Sequence, residues 1–197
     1  MAKDTELTER LELIESMIAE GRRSTESWGW TFVLWGVAYY VAILWAGLGH
    51  SYLAWPVTMI AAGVLTGVFI ARKRSRGPAT TANRAIGAIW WAVGISMFIL
   101  LMSLGFSGIA DQHSSIAVAA AMLATANAAS SFILKWKLQF ACVLVWWALT
   151  VYACFGGGNM LTIAFLTAIF FCQIVFGSYG MICESRRRRQ VQGAANA

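Results

Sequence analysis

The chain has 197 residues, 59% of them hydrophobic and only 12% charged, about half the charged share of an ordinary soluble domain. So few charges cannot cover a water-facing surface of this length, which excludes a soluble globular domain. The formal net charge of +6 would suggest nucleic acid in a soluble protein, but the placement of the basic residues gives it another meaning here.

Residues 1–27 predict a cytoplasmic amphipathic helix and a linker. Leu7, Leu11, Ile14 and Ile18 recur at helical spacing, and Leu13 and Met17 widen the stripe. Asp4 or Thr5 suits the cap, Glu6 suits the first turn and pairs with Arg10 four residues on, and Gly21 ends the helix. Lys3 and Arg10 stand against Asp4, Glu6, Glu9, Glu12, Glu15 and Glu20. Helices that lie on an anionic leaflet are basic on their polar face, so this one has the wrong sign for lipid. Its apolar stripe is expected to pack on protein: a second copy, the chain's own basic loop from Arg72 to Arg76, or a separate cytoplasmic partner. No cleavable signal peptide is visible in this stretch, and the apolar run from Trp28 reads as an uncleaved signal anchor.

Six apolar runs follow, at 28–48, 52–71, 85–105, 116–134, 138–155 and 161–183, and none has Asp, Glu, Lys, Arg or His in its interior. Crossing about 30 Å of hydrocarbon takes about 20 helical residues, and runs this long and uniformly apolar do not suit barrel strands. The expected fold is all-α: a polytopic membrane protein with six transmembrane helices arranged as three hairpins, preceded by the cytoplasmic helix. With the N-terminus in the cytoplasm, six spans put Lys3, Arg10, Arg22, Arg23, Arg72, Lys73, Arg74, Arg76, Arg84, Lys135, Lys137, Arg186, Arg187, Arg188 and Arg189 on the cytoplasmic side. That is all 15 Lys and Arg. The positive-inside rule is then satisfied with both termini cytoplasmic, in the plasma membrane or a bacterial inner membrane. The basic clusters Arg72, Lys73, Arg74, Arg76 and Arg186 to Arg189 read as membrane anchors. Residues 184–197 read as a basic, mostly disordered tail.

Within the spans, Trp35, Trp90, Trp91, Trp146 and Trp147 fall about 55 residues apart in LWGVAYYVA, IWWAVGISM and VWWALTVYA. They suggest a tryptophan tier from a threefold hairpin duplication, or simply odd-numbered helices that face lipid. The fourth span carries Ala120, Ala124, Asn127, Ala128 and Ser131 on one face, the pattern of a central, tightly packed helix. Asn127, Ser131 and Gln173 in the sixth span are the intramembrane polar residues. Each amide is expected to bond a neighbouring helix or a second subunit, or else to line a polar path for a neutral solute. Gly63 and Gly67 have the spacing of closely packed helices. Cys142, Cys154, Cys172 and Cys183 form no C-x-x-C pair and read as buried apolar residues.

His50, Asp111 and His113 are the titratable side chains of the outer loops. They could ligate a metal, though exposed polar loop residues is the ordinary reading, and neither metal nor cofactor is expected. No intramembrane acid or base suits a proton-coupled pump. No G-x-S-x-G or H-E-x-x-H motif or cluster of acids suits hydrolysis, and Gly156-Gly157-Gly158 lacks the lysine of a phosphate loop. The sequence thus favours a non-enzymatic scaffold, regulatory or oligomeric membrane component. Its partners would be the bilayer, a homo-oligomer or another protein, and not nucleic acid. A channel or facilitator for a small neutral solute is the alternative.

Overall fold

The computed structural model describes residues 10, 28–49, 53–74, 81–109, 111–156 and 158–195. The expected contact helix with Leu7, Leu11, Ile14 and Ile18 lies outside the described residues, as do His50 and Arg76.

Five helices run as α1 (Gly29–Gly49), α2 (Ala54–Arg74), α3 (Thr81–Ser107), α4 (Gln112–Leu134) and α5 (Lys137–Phe155). The sixth span is continuous but composite: α6 (Asn159–Ile169), a π-helical segment (Phe170–Val175) and α7 (Phe176–Ala195). There is no strand among the described residues, and six helices are long and apolar enough to cross a membrane. This is a multi-pass membrane protein whose large outward side chains, among them Leu44, Val64, Ile99, Phe132 and Val151, are exposed where lipid would lie.

Successive spans run in alternate directions. Trp30 meets Phe69 while Tyr39 meets Trp55, so α1 and α2 are antiparallel. Phe32 meets Trp90 while Tyr39 reaches Met97, so α1 and α3 are parallel. The alternation gathers Arg72, Arg84, Lys135, Lys137, Arg186, Arg187 and Arg189 at one end, called here the basic end. Asp111 and His113 stand at the far end.

At the basic end α4 turns into α5 through Lys135 and Trp136 alone. The Ser131 carbonyl accepts from the backbone N–H of both. Lys135 closes the helix in the left-handed region, φ 48° and ψ 41°, a conformation that costs a residue with a Cβ roughly 1 kcal/mol. Two-residue closure lets α4 and α5 pack along their whole length, and this is the most extensive pairing in the bundle. It crosses the expected grouping, which put the fourth and fifth spans in different hairpins. The small residues of α4 explain it. Ala119, Ala120, Ala124, Ala126 and Ala128 are buried, and α4 is the most buried of the six spans.

The first span closes the bundle against the sixth. A Cβ on Gly177 would lie 2.6 Å from the Gly29 carbonyl oxygen, and a Cβ on Gly36 2.9 Å from Ile174. Farther along, the Tyr40 hydroxyl donates to the Leu166 carbonyl at 2.8 Å, just where the π-helical segment begins. The Phe170 N–H there is shared between the Leu166 and Thr167 carbonyls, so Leu166 has spare acceptor capacity for a neighbouring helix. Close packing therefore falls at Gly29, Gly36 and Gly177 and not at Gly63 and Gly67, beside which a Cβ would meet nothing within 4 Å. The spacing of Gly63 and Gly67 permits a close helix neighbour, but none of the described helices lies there.

The tail also departs from expectation. α7 continues through the arginine run to Ala195, where residues 184–197 were expected to be mostly disordered. The run of Arg, Gln and Val holds good helix formers and no Pro, so the sixth span has no local reason to stop at the membrane surface.

Candidate functional site

Among the described residues the packing leaves α2 in extensive contact with α1 alone, and α2 and α3 do not pack extensively on one another. Between them lies a cleft of about 970 Å³. Its floor is α1, its walls are α2 and α3, and α4 and the sixth span close its back. It runs the height of the bundle, from Trp28 and Ile86 at the basic end to Leu53 and Asp111 at the far end. Ile60, Trp91 and Ile95 line it and are each about half exposed, so its mouth opens sideways between α2 and α3 at the depth of the hydrocarbon.

Most of the lining is apolar; toward the basic end it includes the Thr31 hydroxyl, which is buried without a hydrogen-bond partner. The Trp35 indole donates to Thr66 at 3.1 Å, and the Thr66 hydroxyl donates to the Ala62 carbonyl at 2.7 Å. Gln173 lines the cleft from within the π-helical segment. At the far end four polar side chains converge: Asp111, Gln112, Ser115 and Thr162. Asp111 caps α4, accepting at Oδ1 from the Ser114 N–H at 2.8 Å and from the Ser114 hydroxyl. These bonds hold its carboxyl below the usual carboxylate range, so it is ionised at neutral pH. Gln112 donates to the Thr162 hydroxyl and ties α4 to α6.

The intramembrane polar residues do not form one site. Asn127 is buried, yet its amide nitrogen donates to the Leu123 carbonyl of its own helix at 2.8 Å, and its Oδ1 has no hydrogen-bond partner. Ser131 likewise donates back to the Ala128 carbonyl at 2.9 Å. The expected bond from the Asn127 amide to another helix is absent because the carbonyl one turn earlier is the nearer acceptor. Neither Asn127 nor Ser131 lines the cleft, which among this trio receives Gln173 alone.

The tryptophan tier divides. Trp35, Trp90 and Trp146 point inward, while Trp91 and Trp147 are about half exposed. Trp90 donates its indole N–H to Ser130 on α4 at 3.0 Å. Thus in the first two odd spans an indole donates to a hydroxyl on the next helix, Thr66 and then Ser130. In the third, the Trp146 indole nitrogen is buried without a partner. Duplicated packing explains the first two spans and stops at α5.

No family model, curated protein or solved structure matches this chain. The site therefore rests on its own chemistry. His113 Nδ1 lies 3.2 Å from the Ala153 carbonyl and Asp111 is a helix cap. Among the described residues no three His, Cys, Asp or Glu gather where a metal could sit. The four cysteines are unpaired. Cys142 and Cys172 are buried as expected, whereas Cys154 is exposed and Cys183 partly so, because both lie near the ends of their spans.

Two residues of the buried interior escape sequence reasoning. Ser130 sits one position from Ser131 and looks interchangeable with it, yet Ser130 makes the interhelical bond. Gln139 lies so close to Lys137 that it reads as a headgroup residue. It is fully buried, with both amide atoms unpartnered. An unsatisfied buried amide costs about 1–3 kcal/mol, so Gln139→Leu is expected to stabilise the bundle by roughly 1–2 kcal/mol. Thermal unfolding in detergent checks this, and a lower midpoint would show that the amide contributes an interaction of its own.

Proposed function

We propose that this protein is a non-enzymatic integral membrane protein, a scaffold, regulatory or oligomeric component that works through helix packing. Its N-terminal amphipathic helix would supply the protein contact through Leu7, Leu11, Ile14 and Ile18. The observation that carries this reading is where the bundle directs its polar groups. Asn127, Ser130 and Ser131 turn back onto α4 and do not line the cleft, and Ser130 also accepts from Trp90, a bond that ties α3 to α4. The gathering of cationic side chains at one end supports a topology with that end, and both termini, in the cytoplasm.

One observation favours the alternative, a facilitator for a small neutral solute. Gln173 lies in a π-helical segment, a feature frequent at functional sites, and lines the cleft. The two readings separate in proteoliposomes. For a scaffold, Leu11→Asp with Ile14→Asp abolishes a crosslinked or co-purified assembly, while Gln173→Leu leaves glycerol and urea permeability at the lipid background. Permeability above that background that falls with Gln173→Leu would replace the scaffold with the facilitator. An assembly intact after the double change would remove the scaffold in this form.

A further inference from the structure

The cleft between α2 and α3 has the attributes of a ligand site and not of a packing defect. At about 970 Å³ it stands at the upper end of the range for small-molecule sites, roughly 300–1,000 Å³. Its mouth faces hydrocarbon, so whatever enters comes from the bilayer. A helix is the first candidate. With side chains a helix is about 10–12 Å across, whereas acyl chains are slender enough to enter between α2 and α3 as they stand. The walls suit them. Gly63 on α2 and Gly94 and Gly105 on α3 line the cleft, and beside each a Cβ would meet nothing within 4 Å. The space along the chain's path is therefore unobstructed.

The polar ends decide what kind of lipid. A lipid tail matches the apolar length of the cleft, and a headgroup matches the cluster of Asp111, Gln112 and Ser115 at the far end. Among the described residues Asp111 is the one charged side chain in the lining, and no Lys or Arg contributes to it. Both Ser114 bonds go to Oδ1, which leaves Oδ2 to accept from an incoming donor. A net-anionic headgroup would meet a carboxylate, and a headgroup ending in an ammonium would meet its complement. We propose that the cleft between α2 and α3 binds a membrane lipid by its acyl chains, with an ammonium headgroup held at the far end by Asp111. This concerns the bilayer, not a protein partner, and stands apart from the scaffold reading.

The test uses the purified full-length protein in detergent, given equimolar phosphatidylethanolamine, phosphatidylcholine and phosphatidylglycerol, with bound lipid read by native mass spectrometry. Phosphatidylethanolamine should be retained over phosphatidylglycerol by roughly threefold to fivefold, the effect of one partly exposed charge pair. Asp111→Asn should abolish that preference without unfolding the protein, because asparagine caps helices about as well as aspartate. Gly63→Leu with Gly94→Leu should fill the cleft and remove bound lipid of every headgroup, again in a folded protein, since both side chains enter open space. Equal retention of the three lipids in the wild type, or a preference unchanged by Asp111→Asn, overturns the headgroup assignment. Bound lipid unchanged by the paired glycine substitutions overturns the site. So does efficient dimer crosslinking through Ile60→Cys and Ile95→Cys in liposomes, which would put a second copy at the mouth.

Discussion

Trp146→Ala is expected to lower stability by roughly 2–4 kcal/mol. Trp146 is fully buried on α5, between the buried Val143 and Leu149, with its ring 6.3 Å from that of Phe165 on α6. In a water-soluble core such a truncation costs about 3–5 kcal/mol. Here the unfolded reference is itself in lipid, so the transfer part shrinks and the loss is mainly dispersion contacts and the cavity left behind. Trp146→Phe should cost much less. It keeps a ring against Phe165 and removes an indole N–H that has no acceptor, so the lost volume is partly offset. Unfolding in mixed micelles measures both. An alanine variant within about 1 kcal/mol of wild type would mean that α5 does not hold this side chain in a rigid interior.

Gly177→Leu is expected to be as damaging by the opposite route. Its Cβ would lie 2.6 Å from the Gly29 carbonyl oxygen and 2.9 Å from Phe32 and Val33. A side-chain obstacle could rotate away, but a helix carbonyl cannot, so α1 and α7 must separate. Overpacking typically costs about 1–3 kcal/mol, and the backbone obstacle puts this case at or above that upper value. Gly63→Leu is the control. It adds the same atoms where nothing lies within 4 Å, and should change stability by less than about 0.5 kcal/mol. Yield, monodispersity and thermal midpoint in detergent compare the two. Equal behaviour would mean that the first and sixth spans are not in contact at Gly29.

Why one glycine matters and another does not was not legible in the sequence. The periodic information was: a run of about 20 apolar residues has few physical solutions, so the six helices and the basic residues at their ends could be read directly. The fourth span's small face was legible for the same reason, since Ala120, Ala124 and Ala128 recur on one side. Partner choice was not. Gly63 and Gly67 carry a packing signature and Gly29 and Gly177 carry none, yet the close approach belongs to the second pair, because it depends on which helix arrives from 148 residues along the chain. Asn127 and Ser130 differ likewise. A polar residue in a span announces a hydrogen bond, but whether the partner is its own previous turn or a tryptophan on α3 is decided by tertiary placement. The cleft was the least legible feature, since it arises from two consecutive spans that fail to pack.

That failure sets an order of coming apart. α1 is braced by its glycine contacts with the sixth span and α4 and α5 embrace along their length, whereas among the described residues α2 packs extensively on α1 alone and α3 on α4 alone. A helix supported on one side yields first, so the breathing of the bundle is expected to begin as a parting of α2 and α3, on the microsecond-to-millisecond scale of helix motions. The other four spans keep their mutual grip while these two move, and the molecule is expected to behave as a four-helix body with two hinged walls.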